Sequence, residues 1–262
     1  MRPVLLGWTA TAAAAAVLAA ADGAPRREAP RINVGGIVNA ATNRPAPDNT
    51  ISPGAIVSIY GTGLSTETRE VRQSDITNGY LPENLAGVSV FFGPLPASLF
   101  FVSPLQINAQ APTALQPGEW EVKVRLERLE ASEKVVVRPY SPGLFNVARH
   151  VDGMQVTRNA PARPGEYIVF FGTGFGPSRP PLQNGELAPL MPLWLASRIE
   201  AKIGDVALDP EDIYYWGLAP GYAGLYQFNL RVPAAAPSGD MEVMVKIADS
   251  WSQTGMRIPV ER

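Results

Sequence analysis

The chain of 262 residues contains no cysteine and a single histidine. Without cysteine it can have no disulfide framework, no thiolate metal site and no acylated lipoprotein anchor. Stability must therefore come from buried apolar cores, which a chain of this length is long enough to form. Strong helical runs are also missing beyond the alanine-rich N-terminus, so that helices are not expected to build the fold.

Positive charge is scarce as well. The net charge is −2, the isoelectric point is near 5.6, and the lysines are limited to Lys123, Lys134, Lys202 and Lys246. Since nucleic-acid binding needs a basic excess to neutralise phosphates, nucleic acid is not a predicted partner. What the chain does have is 26 prolines, 24 glycines and a hydrophobic fraction of 46%. This composition is typical of many short strands separated by turns, and it argues against disorder.

The first 21 residues have the features of a signal peptide. Arg2 precedes an apolar, alanine-rich stretch, and Ala19-Ala20-Ala21 supplies small residues for signal peptidase. We predict cleavage after Ala21, a flexible leader over residues 22–34, and export of the protein. The alternative is an uncleaved membrane anchor, although the apolar stretch barely reaches the roughly 20 residues that a spanning helix needs.

The remainder of the chain contains an internal repeat. Residues 53–63 return as residues 164–174, 111 positions later, with the same Pro-Gly opening and Gly-Thr-Gly ending. The block Gln106-Ile107-Asn108 returns as Gln227-Phe228-Asn229, 121 positions later. The second copy has therefore gained about ten residues, which we place in a loop near residues 218–225.

Each copy has the periodicity of β-strands. Between residues 120 and 126, apolar residues at even positions alternate with charged residues at odd positions, which predicts a half-buried strand. The strands follow one another too closely for the helical crossovers of a parallel sheet. We therefore predict an all-β protein with two tandem immunoglobulin-like antiparallel β-sandwich domains, at residues 35–145 and 146–262.

Nine blocks in a fixed order cover nearly all of the chain after the leader. They are residues 38–41, 52–54, 60–64, 101–104, 106–108, 141–145, 162–166, 217–221 and 224–227. This order resembles the Solibacter uncharacterised C-terminal domain family, and each half is more distantly similar to the IPT/TIG group of immunoglobulin-like domains. The resemblance implies a secreted or surface protein of bacteria, in a family with no established activity.

Three features that could carry chemistry each have a structural explanation. His150 lies at the predicted domain junction without a catalytic partner, and no Gly-x-Ser-x-Gly motif is present, so we expect a surface linker residue. The glycine-rich segment 172–176 leads into prolines and not into a helix, which favours a turn with positive φ over a phosphate loop. Asp209, Glu211 and Asp212 lack the spacing of a calcium loop and are expected in a solvated turn. No catalytic residue, metal or cofactor is predicted.

Aromatic residues are the remaining candidates for ligand binding. Tyr214, Tyr215 and Trp216 are consecutive, so on a strand Tyr215 must face away from its two neighbours, and at least one ring is expected to be exposed. Tyr215 and Trp216, together with Trp194 and Tyr222, could form a platform that stacks on a sugar ring or contacts a protein. The alternative, which we favour, is that these rings pack between the two domains.

The sequence thus favours an exported, non-enzymatic interaction or spacer module at the cell surface or in the medium. Its expected partner is an unidentified protein or glycan outside the cell. A carbohydrate-binding or adhesion module is the first alternative, and an exposed coplanar pair among the four candidate rings would support it. A hydrolase is the second alternative, which turnover of ester, glycoside or peptide substrates would reveal.

Overall fold

The computed structural model describes residues 29–262. The predicted signal peptide, residues 1–21, and most of the predicted leader, residues 22–34, lie outside this range. The end of the leader prediction needs correction, because the first strand begins at Arg31. Ile32 packs against the first core, and this contact holds the start of the strand in place.

The first half of the chain forms nine strands and one 3₁₀ turn. The strands are β1 (Arg31–Asn39), β2 (Ile56–Thr62), β3 (Arg69–Glu70), β4 (Val88–Phe92), β5 (Leu95–Pro96), β6 (Ser98–Val102), β7 (Gln106–Gln110), β8 (Gly118–Leu126) and β9 (Leu129–Val137). The 3₁₀ turn spans Gln73–Asp75. One sheet has the order β1-β2-β7-β6-β3 and the other has the order β5-β4-β8-β9.

The second half forms ten strands and one 3₁₀ turn at Pro210–Asp212. The strands are β10 (Gly143–His150), β11 (Tyr167–Thr173), β12 (Leu193–Trp194), β13 (Ile199–Ile203), β14 (Val206–Ala207), β15 (Ile213–Leu218), β16 (Tyr226–Arg231), β17 (Gly239–Ile247), β18 (Ser250–Trp251) and β19 (Arg257–Val260). The sheet orders are β10-β11-β16-β15-β12 and β14-β13-β17-β18, with β19 also paired to β17. The sheets β1-β2-β7-β6-β3 and β10-β11-β16-β15-β12 therefore have the same topology, as the sequence repeat predicts.

Pairings between these strands are antiparallel, which confirms the predicted all-β class. Each half closes its two sheets on a separate core. In the first core Val57 and Ile107 from one sheet meet Phe92 and Val124 from the other. The second core is built in the same way around buried aromatic rings, namely Phe170, Phe175 and Phe228. Burial of these side chains is the main force that holds each sandwich together.

The strand predicted from alternation, β8, has the expected orientation. Val122, Val124 and Leu126 are buried, whereas Arg125 is exposed. Trp120 lies at the rim of the core, half-buried, and its indole nitrogen donates to the carbonyl of Gln116. The inward phase of the strand is thus confirmed, although its first ring does not fill the centre of the core.

The two sandwiches meet earlier in the chain than predicted. The predicted boundary between residues 145 and 146 falls inside β10, whose eight residues pair with β11. Leu144 is fully buried in the second core, so the second domain begins by Gly143. The alternation of apolar and polar residues does not mark the start of β10, because a bulge between Leu144 and Ala148 interrupts it.

Each Gly-Thr-Gly segment ends a strand, and its last glycine has the predicted positive φ. Gly63 has φ of 64° and Gly174 has φ of 85°. A Cβ atom on Gly174 would lie 2.0 Å from the carbonyl oxygen of Ser141. Both the backbone angle and the close approach therefore require glycine at this position.

Candidate functional site

A buried polar contact joins the two domains at Thr173, the last residue of β11. Its hydroxyl accepts a hydrogen bond from the backbone N–H of Ile56 (2.8 Å) and donates one to the carbonyl of Gly224 (2.7 Å). Thr173 is completely buried, whereas its counterpart in the first copy, Thr62, is exposed. The same repeated residue is thus a surface side chain in one domain and a bridge between domains in the other.

The residues gained by the second copy lie in two connections, residues 208–212 between β14 and β15 and the loop that Thr173 holds between β15 and β16, so only part of the insertion falls in the predicted loop near residues 218–225. This loop, residues 219–225, packs Ala219 and Leu225 against Ala40 and Ile56 of the first domain. A Cβ atom on Gly224 would lie 2.6 Å from the carbonyl oxygen of Gly54. This loop is therefore part of the domain interface, in close backbone contact with the other sandwich.

A second loop of the second domain crosses to the first domain, and we term it the strap (residues 174–192). The backbone N–H of Leu81 donates to the carbonyl of Gly185 (2.9 Å), and the N–H of Leu187 donates to the carbonyl of Gly79 (2.8 Å). These two bonds make a short antiparallel bridge between the domains. The strap is thus paired to the first domain through its backbone as well as its side chains.

Buried amide side chains secure the strap and the junction. The Oε1 atom of Gln110 accepts from the N–H of Gly185 (2.8 Å), and its Nε2 atom donates to the carbonyl of Gly54 (3.3 Å). The Nδ2 atom of Asn39 donates to the carbonyl of Ser141, just before β10 (2.7 Å). Since an amide buried without partners is costly, these bonds fix the contact in one geometry.

Sequence reasoning did not identify this interface, although two signals pointed to it. Asn39, Gln110 and Thr173 are polar residues at the last positions of their strands, where all three are buried. Asn39 and Gly224 also lie within blocks that carry the family resemblance. A polar residue in such a strand has to find a buried partner, and a repeated pattern does not reveal that the partner lies in the other copy.

The four candidate aromatic residues do not form a stacking platform. Trp194 is 39% exposed, but its ring meets those of Tyr215 and Trp216 at 62° and 67°, with centroids 4.9 and 4.7 Å apart. These are edge-to-face contacts, so neither pair presents two coplanar faces to a ligand. Tyr222 is separate from this group and packs partly buried against the interdomain cluster.

Tyr215 and Trp216 have structural roles, which removes them as ligand contacts. Tyr215 is only 6% exposed, and its hydroxyl donates to the carbonyl of Leu218 (2.7 Å) and accepts from the N–H of Leu193 (3.2 Å). Burial raises the pKa of this hydroxyl above its ordinary value. Trp216 packs against the second core. The expected exposed ring of this strand is Tyr214, which faces away from the buried Ile213 and Tyr215.

His150 lies at the far end of the second domain and not at the junction. It ends β10, whose eight residues extend roughly 25 Å from the domain boundary at the usual strand rise. Its Nδ1 atom is 2.6 Å from a carboxylate oxygen of Glu166, and its Nε2 atom is 3.1 Å from the carbonyl oxygen of Ala160. Both neighbours are acceptors, so both ring nitrogens must donate, and the arrangement favours the charged imidazolium.

This ion pair makes stability depend on pH. The hydrogen bond to Glu166 raises the pKa of His150, against a smaller opposing effect of burial. A raised pKa means that the stabilisation is complete below the ordinary value of about 6.5 and is lost as pH rises through the folded-state pKa. We expect urea titrations to show a fall of about 1 kcal/mol over that range. His150→Gln should lack this slope, and an unchanged slope in that variant would contradict the assignment.

The other charged candidates are arranged as surface structure. Asp212 lies in the 3₁₀ turn, and its carboxylate is 3.7 Å from the guanidinium of Arg231. Among residues 29–262, no three histidine, aspartate or glutamate side chains are grouped closely enough to hold a metal ion. Over the same residues, no helix is both long and apolar enough to cross a bilayer.

Comparison with known proteins finds no matching family model and no matching curated protein. Several solved structures are similar. SGBP-B of the Bacteroides ovatus mixed-linkage glucan utilization locus, solved with a heptasaccharide, is 12% identical with a TM-score of 0.36, over 82% of this chain and 43% of its own. A chimeric titin Z1Z2 is 14% identical with a TM-score of 0.20, and the match covers 90% of this chain and 98% of the titin chain. Domains 5–6 of the S-layer protein SbsC are 8% identical with a TM-score of 0.24, and the match covers 88% of this chain and 98% of the SbsC chain.

These similarities concern fold class alone. The chain spans less than half of the length of the Bacteroides protein, and the identities are too low to transfer any site residue. The similar structure of DSCAM contains its N-terminal eight Ig domains. The sheet orders and the two separate cores of this chain make it immunoglobulin-like antiparallel β-sandwich domains in tandem, as the sequence predicts.

Proposed function

We propose that this protein is an exported, non-enzymatic interaction module in which the two sandwiches act as one rigid spacer. The observation that carries the proposal is the buried bridge at Thr173, which ties Ile56 of the first domain to the loop at Gly224. Two domains joined by a simple linker are expected to move relative to each other. Here the bridge and the strap hold the domains at separate points beyond the covalent connection.

Two attachments at different places restrict rotation more than one does. The bridge at Thr173 joins the 219–225 loop to the start of β2, whereas the strap pairs with residues 79–81. Apolar side chains fill the space between them, including Phe145 and Phe171 against Ile56. A module built in this way keeps a constant distance between whatever is attached at its two ends, which suits a spacer on a cell surface.

The rigid arrangement predicts that both domains tumble together. Nitrogen-15 relaxation of the chain from residue 22 onward should give the same rotational correlation time for the strands of each sandwich. The double variant Thr173→Val with Gln110→Leu removes two of the polar links and should give two distinct, shorter correlation times. Two independent times in the unmodified protein would contradict the spacer proposal.

Export and lack of catalysis are parts of the same proposal, and so is membership of the Solibacter family. Export is supported by the sequence of residues 1–21, and mass spectrometry of protein secreted by a bacterial host should find Asp22 at its N-terminus. A screen of ester, glycoside and peptide substrates should give no turnover. Turnover that survives purification to homogeneity would favour the hydrolase alternative.

A carbohydrate-binding or adhesion module is the second candidate, and one observation favours it. Among the described residues, the exposed aromatic side chains all lie in the second domain, namely Trp194, Tyr214 and Trp251. Exposed rings in one domain of a tandem module are suited to contact a ligand. Retention on insoluble polysaccharides, lost in Trp194→Ala or Trp251→Ala, would support this candidate. No retention on any polysaccharide would rule it out.

A further inference from the structure

Trp251, on β18, stands on the outer face of the sheet that also contains β13 and β17, between two lysines. It is 41% exposed, and the Nζ atoms of Lys202 and Lys246 lie 5.4 and 5.8 Å from the centre of its ring. Lys246 is its paired residue on β17, and Lys202 comes from the next strand, β13. Half of the lysines in the chain thus flank one exposed indole ring.

The equivalent face of the first domain has a different arrangement. There Arg125 is paired with Glu130, as Lys246 is paired with Trp251 in the second domain. Glu130 therefore occupies the position that corresponds to Trp251. Glu130 forms ion pairs with Arg125 (2.8 Å) and with Lys123 (3.0 Å). The first domain therefore closes this face with its own carboxylate, whereas the second domain places an aromatic ring where that carboxylate would be.

The charges of the second face are only partly balanced within the protein. Lys246 pairs with Glu200 at 3.1 Å. Lys202 has no ion pair with any residue between 29 and 262, and its ammonium instead lies over the indole ring. An aromatic face with an unpaired ammonium beside it offers two recognition elements at once, one for an apolar surface and one for an anion.

We propose that this face binds an acidic sugar residue of a polysaccharide. The C–H face of a pyranose ring would pack on Trp251, and its carboxylate would accept hydrogen bonds from Lys202. In this way the ligand supplies the carboxylate that Glu130 supplies in the first domain. The inference rests on the carbohydrate-binding candidate and names its site and its ligand class, and it is independent of the rigid-spacer proposal.

A soluble galacturonate oligomer is the probe, and a galactose oligomer of equal length is the neutral comparison. Titration calorimetry should detect binding of the acidic oligomer, weakened by added salt because the contact is partly ionic. Trp251→Ala should lower the affinity about tenfold or more, and Lys202→Gln should lower it severalfold. Lys134→Gln, which removes an exposed lysine of the first domain, is the matched control and should leave the affinity unchanged.

Two further variants separate binding from a structural role. Trp251→Glu copies the residue of the first domain, so it should fold normally and abolish binding. Glu200→Gln frees Lys246 from its ion pair and should increase the affinity severalfold, an effect that a purely structural contact would not produce.

The outcomes distinguish this inference from the broader candidate. Equal binding of the acidic and neutral oligomers, or acidic binding that Trp251→Glu leaves intact, would overturn it. Absence of acidic binding together with retention on neutral polysaccharides would overturn it and leave the carbohydrate-binding candidate standing. If the protein binds no saccharide at all, both fail, and shared tumbling of the two domains still tests the spacer proposal by itself.

Discussion

Replacing Phe228 with alanine is expected to lower the free energy of unfolding by about 3–5 kcal/mol. Phe228 is completely buried on β16, the central strand of the five-stranded sheet of the second domain, and its ring centroid lies 4.6 Å from that of Phe175. Removing the ring leaves a cavity among rigid neighbours that cannot collapse to fill it. Urea unfolding of the purified chain, followed by intrinsic fluorescence, measures the change.

The matched comparison for this variant is an apolar side chain that is not buried. Leu190 is 86% exposed at the end of the strap, so Leu190→Ala should change the free energy by no more than about 0.5 kcal/mol. If the two variants had similar effects, Phe228 would not occupy a core, and the sandwich assigned to the second domain would need revision.

Replacing Thr173 with valine is expected to cost about 2–5 kcal/mol, because valine has the same shape without the hydroxyl. The change leaves two buried backbone groups without a partner, the N–H of Ile56 and the carbonyl of Gly224. Each unsatisfied group costs about 1–3 kcal/mol. Unfolding followed by circular dichroism should show the loss, and small-angle scattering should show a less compact arrangement of the two domains.

Thr173→Ser keeps the hydroxyl and removes only a methyl group, so it should cost about 1 kcal/mol and preserve the domain arrangement. Thr62→Val is a second control, because Thr62 occupies the same position in the first copy and is exposed. A cost at Thr62 equal to that at Thr173 would show that the effect belongs to the repeated turn and not to the interface.

Much of the fold follows from local sequence. The alternation in β8 gave the correct inward face, since Val122 and Val124 are buried. The repeated blocks predicted two sheets of the same topology, because residues with the same pattern meet the same packing requirements in each copy. The predicted boundary at residues 145 and 146 missed the start of β10 by about three residues, because the β10 bulge hides the alternation there.

The candidate site was less accessible from sequence. Of the four candidate rings, Trp194, Tyr215 and Trp216 are in contact within the second domain, and only Trp194 is exposed. Tyr222 alone packs at the interdomain cluster. Whether a ring on a strand faces solvent depends on which strands and loops cover it, and that is not a local property. The significance of Trp251 depends in the same way on lysines from two other strands.

By itself, the sequence determined an all-β protein made of two similar sandwiches, because a period of two and frequent turns are local requirements of strands. It also determined that cores, and not disulfides, must stabilise the protein. Only the tertiary structure decided that Thr173 joins the domains, that His150 carries an ion pair at the far end, and that Trp251 lies between two lysines. These contacts depend on which strands and loops lie side by side in the folded protein, and local sequence patterns do not specify that.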